Sequence, residues 1–165
     1  MSARPKAVVL MGVSGCGKTS VGKELSRILG WPFLDGDEFH PPENVTKMAS
    51  GNPLDDADRV PWLRNLHDLI TEHLTKGQSL LLACSALKQK YRDQLAEGNP
   101  DTIFVYLKGD FDLIFRRMQS REGHYMKPEM LKSQFATLEE PSEALIIDIA
   151  NPVGQIAETI VNAIK

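Results

Sequence analysis

Apolar residues follow two alternating rhythms along this chain. Short aliphatic or aromatic runs recur at AVVLM (7–11), PFLD (32–35), SLLLAC (79–84), IFVYL (103–107) and ALIIDI (144–149). Several are apolar at consecutive positions, the pattern of parallel strands covered on both faces. Between them the spacing lengthens to a helical period: Val21, Leu25, Ile28 and Leu29; Leu63, Leu66, Ile70 and Leu74; Phe111, Ile114, Phe115 and Met118; and Val153, Ile156, Ala157, Ile160, Val161 and Ile164. Gly30 and Gly77 fall where helix C-caps belong. Strands alternating with helices predict an α/β fold, a central parallel five-stranded sheet flanked by helices and joined by right-handed crossovers.

Length changes this picture little: 165 residues without internal repeats or linker-like stretches predict a single domain spanning 1–165. Charge changes it more, because 19 basic against 22 acidic side chains leave a net charge of −3. A nonspecific nucleic-acid binder needs a basic surplus, so no nucleic-acid partner is expected. The apolar run behind Lys6 is too short to span a membrane, and no membrane partner is expected. Cys16 and Cys84 have no zinc-ligand spacing and read as reduced thiols of a cytoplasmic protein.

Chemistry enters with GVSGCGKT, Gly12 to Thr19, which satisfies G-x-x-x-x-G-K-[ST] between a strand-like run and an amphipathic helix. Backbone N–H groups of Gly12, Val13, Ser14, Gly15, Cys16 and Gly17 can bend around a phosphate, and the following helix adds its positive end. Lys18 is expected on the β and γ phosphates and the Thr19 hydroxyl on Mg²⁺. No N-K-x-D base-reading motif accompanies this loop, which favours ATP over GTP. The third apolar run ends in Cys84 and Ser85, so an acidic partner for the metal must come from elsewhere.

FLDGDEFH (33–40) supplies one. It follows the second strand-like run and so belongs at the carboxyl edge of the sheet, where ligands bind. Like charges at about 4 Å repel by about 4 kcal/mol at an effective dielectric near 20, and an intervening Mg²⁺ reverses the sign. Asp35 is therefore expected to hold the metal through water and Asp37 to accept the proton of an attacking hydroxyl, with Glu38 a solvated neighbour.

GVSGCGKTSVG, FLDGDEFHPPENVTKMASGNPLDDADRVPWL, CSALKQKYRD, YLKGDFDLI and REGHYM…LKSQFATLEEP, in this order from Val8 to about Asp148, resemble the bacterial-type gluconate kinases, small P-loop sugar-acid kinases akin to shikimate and adenylate kinases. The resemblance implies transfer of the ATP γ-phosphate to the 6-hydroxyl of D-gluconate, an adenylate-kinase-like sheet with a mobile lid near residues 117–130, and a homodimer. By similarity to shikimate kinase, Arg59 falls near the arginine that clamps the substrate carboxylate, a task suited to its planar fork. His40, Ser85 and Lys88 are further candidates for the sugar acid. Arg92 is assigned to helix-surface pairing with Asp93 or Glu97, His67 and His73 to structural or surface roles, and Trp31 and Trp62 to packing. By resemblance to such lids, Arg117 stacks on adenine and Arg121 contacts the transferring phosphate, with Gly123 as a pliable point; Asn151, in the turn after the last strand, is a further adenine contact. The residues leave two alternatives: a kinase for another sugar acid or a shikimate-like hydroxy acid, and a nucleotide-sensing protein without turnover.

Overall fold

The structure is a computed structural model that describes residues 4–120 and 128–164. Five strands, β1 (Ala7–Met11), β2 (Phe33–Asp35), β3 (Leu80–Ala83), β4 (Thr102–Lys108) and β5 (Leu145–Asp148), form one sheet in the order β2-β3-β1-β4-β5. Every neighbouring pair is parallel. Each strand predicted from an apolar run is present, trimmed or extended by a residue or two at its ends.

The period of two explains why the central runs are apolar throughout. In β1, Val8 and Leu10 point into one core while Ala7, Val9 and Met11 point into the other. In β3, Leu81 joins the first core and Leu80 and Leu82 the second. The first core is closed by α1 (Lys18–Leu29), α5 (Phe111–Gln119) and α7 (Val153–Ile164), with Leu131 of α6 (Pro128–Thr137). The second is closed by α3 (Asp56–Thr75) and α4 (Gln89–Ala96). A short helix, α2 (Pro42–Ala49), precedes α3.

Local chemistry sets the ends. Gly30 and Gly77 take φ of 73° and 74°, and the Gly30 N–H returns to the Ser26 carbonyl at 2.8 Å. Asp55 and Asp58 form a reciprocal capping box that starts α3. Arg92 does not pair with Asp93 or Glu97 as expected for a surface helix. It is 2% exposed and turns inward, donating to the carbonyls of Ala86 (2.6 Å) and Glu139 (2.7 Å). Burying that guanidinium ties the loop after β3 to the segment leading into β5, because its two terminal nitrogens find carbonyls there, while Nε is buried without a partner among the described residues.

Strand order fixes where a ligand can sit. The chain leaves β1 toward β2 and leaves β3 toward β4, so successive connections run in opposite directions from neighbouring strands. A crevice opens at such a reversal beyond the carboxyl ends. The Gly12 N–H donates across it to the Ser85 carbonyl at 3.2 Å.

Candidate active site

The phosphate-loop sequence forms a tight turn from β1 into α1. Gly12 has φ of 142°, and a Cβ there would stand 2.9 Å from the Leu107 carbonyl and 2.8 Å from Cys16 Sγ, so no other residue fits this turn. Gly17 caps α1 at φ of 102°. Lys18 Nζ donates to the carbonyls of Gly12 (2.9 Å) and Val13 (3.1 Å), which holds its charge over the loop. Cys16 is buried with its sulfur 3.9 Å from that ammonium, and Thr19 is exposed on the first turn of α1.

Beside the loop lies a cavity of about 650 Å³. Ser14, Lys18, Asp35, Asp37, His40, Arg59 and Ser85 all line it, so seven of the candidates from the sequence converge on one space. Four segments bring them there: the loop after β1, the acidic turn after β2, the start of α3 and the loop after β3.

The acidic turn is held from several sides. Asp35 Oδ1 accepts the Asp37 N–H at 3.0 Å, which curls residues 36–39 into a single 3-10 turn. Trp62, buried in the second core, donates its indole N–H to the Gly36 carbonyl at 2.8 Å and stacks on His40 with ring centroids 4.3 Å apart. Trp62 therefore packs as expected and also positions the catalytic candidate. Gly36 lies so close to β3 that a Cβ would meet the Ala83 carbonyl at 2.5 Å, against backbone that cannot swing aside. Gly36→Ala should thus cost roughly 1–3 kcal/mol of stability by overpacking. Its turnover should fall further than that loss explains, because Asp37 moves with the turn. Thermal melts paired with rates well below Tm would separate the two effects.

Electrostatics distinguish the two aspartates' neighbours. The Asp37 side chain still meets solvent, yet the atoms packed around it raise its carboxyl above the ordinary value, and the Asp35 charge adds to the rise while Lys18 and His40 pull it down. His40 is lowered by burial, with Arg59 adding and Asp37 opposing. Its Nδ1 lies 3.3 Å from the Asn44 amide nitrogen. Cys84, also on the cavity wall, has its thiol pushed up to about 12 by burial and reads as inert structure.

Arg59 keeps its charge available to the cavity. Its guanidinium donates to the Tyr91 hydroxyl at 3.3 Å and stands 4.0 Å from Asp56, the outer limit of an ion pair. Asp56 is engaged instead by Lys88 at 3.1 Å, by Lys90 and by the Tyr91 hydroxyl, which together hold its carboxyl far below the usual range. Lys88 is thus spent on Asp56 and is not among the residues lining the cavity.

Asn151 and Arg117 stand apart from this cavity. Asn151 turns its amide back to the Asp148 carbonyl at 3.1 Å, and Arg117 is exposed in the last turn of α5. Asp148 and Ala150, next to Asn151, line a second cavity of about 650 Å³ at the carboxyl ends of β4 and β5. Arg121 and Gly123 lie outside the described residues, as does half of the expected lid, residues 121–127.

The sequence reading missed part of the cavity. Met48 of α2 and Gly51, Asn52, Pro53 and Leu54, between α2 and α3, form one wall, and Met130, Ser133 and Gln134 of α6 form another. The α6 positions, three and four apart, share one helix face. Nothing in their types marks them as a site.

The metal expectation can be tested on the donor set. Among the described residues no group of three His, Cys, Asp or Glu side chains could hold a metal by itself. Thr19 and Asp35 offer hard oxygen donors, which suit a magnesium ion that keeps most of its shell as phosphate oxygens and water. The residues fit that ion only in company with a nucleotide.

The chain is similar to known kinases in sequence and in fold. A family model described as shikimate kinase matches residues 14–165. The thermoresistant gluconokinase of Escherichia coli strain K12 is 48% identical over 161 residues, spanning 95% of this chain and 92% of that protein. A gluconokinase crystal structure from Sinorhizobium meliloti 1021 superposes with a TM-score of 0.88 at 38% identity, covering 99% of this chain and 93% of that one. An APS kinase from Mycobacterium tuberculosis, at 20% identity and a TM-score of 0.75, shares the fold.

Proposed function

The chain belongs to the gluconokinase family, and from that premise we propose that it transfers the γ-phosphate of ATP to the 6-hydroxyl of D-gluconate, assisted by Mg²⁺. The observation that carries the reading is the convergence of Lys18, Asp37 and Arg59 on one cavity: a phosphate-side cation, a carboxyl of raised pKa and an unsated guanidinium. In-line transfer needs little covalent help from the protein, so these residues act by charge and placement.

The N–H groups of Gly12, Ser14 and Cys16, expected on the phosphates, already donate to Ser85, Gln134 and Val13, so Lys18 and the remaining loop N–H groups would neutralise the phosphates, and Arg59 would seat the acceptor's carboxylate. With both ends fixed, Asp37 receives the proton of the hydroxyl that attacks. His40, Ser85 and Asn52 offer hydrogen bonds to the remaining hydroxyls. A magnesium ion held by Thr19 and, through water, by Asp35 would supply charge neutralisation between the phosphates and the acidic turn. The second cavity, on the far side of β1, leaves room for the base; Asn151 follows its lining residue Ala150, and Arg117 stands one helical turn beyond its lining residue Leu113. Arg121 keeps its proposed place on the transferring phosphate, and a homodimeric, cytoplasmic enzyme completes the reading.

An acceptor panel in a coupled ADP-release assay tests it. D-gluconate should support turnover with kcat/KM at least tenfold above other sugar acids and shikimate. A preference for another acid would reassign the acceptor. ATP binding without acceptor-dependent ADP formation would favour a nucleotide sensor instead.

A further inference from the structure

Among the described residues, helix α6 hydrogen-bonds to the phosphate loop through one side chain. Gln134 Oε1 accepts the backbone N–H of Ser14 at 2.7 Å, and its Nε2 donates to Ser14 Oγ at 3.0 Å. The orientation of the amide is dictated, because a backbone N–H can only donate and so must face the oxygen. Both polar ends of one carboxamide are thereby spent on a single residue 120 positions away in sequence. Among the described residues this is the only hydrogen-bonded link between α6 and the loop.

Ser14 and Gln134 both line the acceptor cavity, and Met130 and Ser133 present the same face of α6 to it. Leu131, fully buried and one turn before Gln134, anchors the adjoining flank of the helix in the first core. The link thus joins the wall of the acceptor seat to the loop that carries the phosphates. We propose that Gln134 is a positioning residue for phosphoryl transfer, which acts through Ser14 to keep the acceptor wall and the phosphate loop in register. This rests on the kinase reading above and extends it to a residue that need not touch ATP. Register matters because displacement of reacting atoms by about 1 Å can cost about a hundredfold in rate.

Gln134→Met keeps the length and packing of the side chain and removes both hydrogen bonds. It should lower kcat by about tenfold or more and raise the KM for D-gluconate, while ATP affinity measured without acceptor stays within about twofold. Ser14→Ala should add little to the Gln134→Met deficit, since the pair acts as one unit. Hydrogen exchange at the Ser14 amide should accelerate in Gln134→Met, and this readout does not depend on turnover. Wild-type kcat in Gln134→Met, deficits that multiply in the double variant, or unchanged Ser14 exchange would each overturn the proposal. If the wild-type protein shows no gluconate-dependent turnover, the functional reading fails on its own, and Ser14 exchange still decides whether Gln134 holds the loop.

Discussion

Asp37→Asn should lower kcat by about two to four orders of magnitude, the usual contribution of a positioned general base, while leaving ATP binding nearly intact. Asparagine keeps the shape and the N–H that Asp35 receives, so the 3-10 turn should survive the change. The pH dependence makes the assignment specific. Packing and the Asp35 charge raise the Asp37 carboxyl, so the acid limb of kcat/KM should lie above the ordinary carboxylate range. Asp35→Asn removes one of those causes and should move the limb down. Stability carries the opposite signature. A raised native pKa means the native state holds this proton more tightly than the unfolded chain, so the contribution is full below the unfolded pKa and is lost as pH rises through the native one. Asp37→Asn should therefore melt higher than wild type at neutral pH, with the difference vanishing below the ordinary carboxylate pKa. Near-normal turnover in the variant would remove Asp37 from the chemistry.

How far the sequence reached depended on whether a structural demand was written in one residue type. The five strands and four of the helices were legible because burial on two faces, or on one stripe, forces apolar residues at fixed intervals. Helix α4 was not, because its inward stripe is Tyr91, Arg92 and Leu95, and a buried arginine breaks the hydrophobic period. Helices α2 and α6 bury one residue each, Asn44 and Leu131, too little for a stripe. The phosphate loop and the acidic turn could be read because their glycines and charges stand close together in the chain. Gly36 is a case in point: its need is to approach the Ala83 carbonyl, yet it sits between two aspartates that already mark the site. Lys88 shows the limit of such reading. Its place after β3 is right for a ligand, but Asp56, 32 positions earlier, takes its charge, and only the folded chain brings the two together. Gln134 has the same character, since its partner is a backbone N–H that no residue type announces.

Arg59→Ala should raise the KM for D-gluconate by about one to two orders of magnitude, with a smaller effect on kcat. A hydrogen bond to a charged group contributes about 1.5–3 kcal/mol, and each 1.4 kcal/mol is about tenfold in affinity. The forecast depends on the guanidinium being free to bind an anion, which the surrounding charges decide. Asp56 is the nearest carboxylate, but two lysines and a tyrosine hydroxyl already engage it, and 4.0 Å separates it from Arg59. Tyr91 meanwhile holds the guanidinium in place through its hydroxyl and, at 5.7 Å, its ring face. Arg59→Lys keeps the charge and loses the two-pronged geometry, so it should recover only part of the affinity. Discrimination is the sharper readout, because a clamp for carboxylate should prefer D-gluconate over an uncharged polyol of the same length. That preference should collapse in Arg59→Ala while the polyol's own weak KM stays nearly constant. If the melting temperature falls instead and the preference survives, Arg59 belongs to the Asp56 and Tyr91 cluster as structure, and the cavity must read the acceptor's charge through Lys18 or His40.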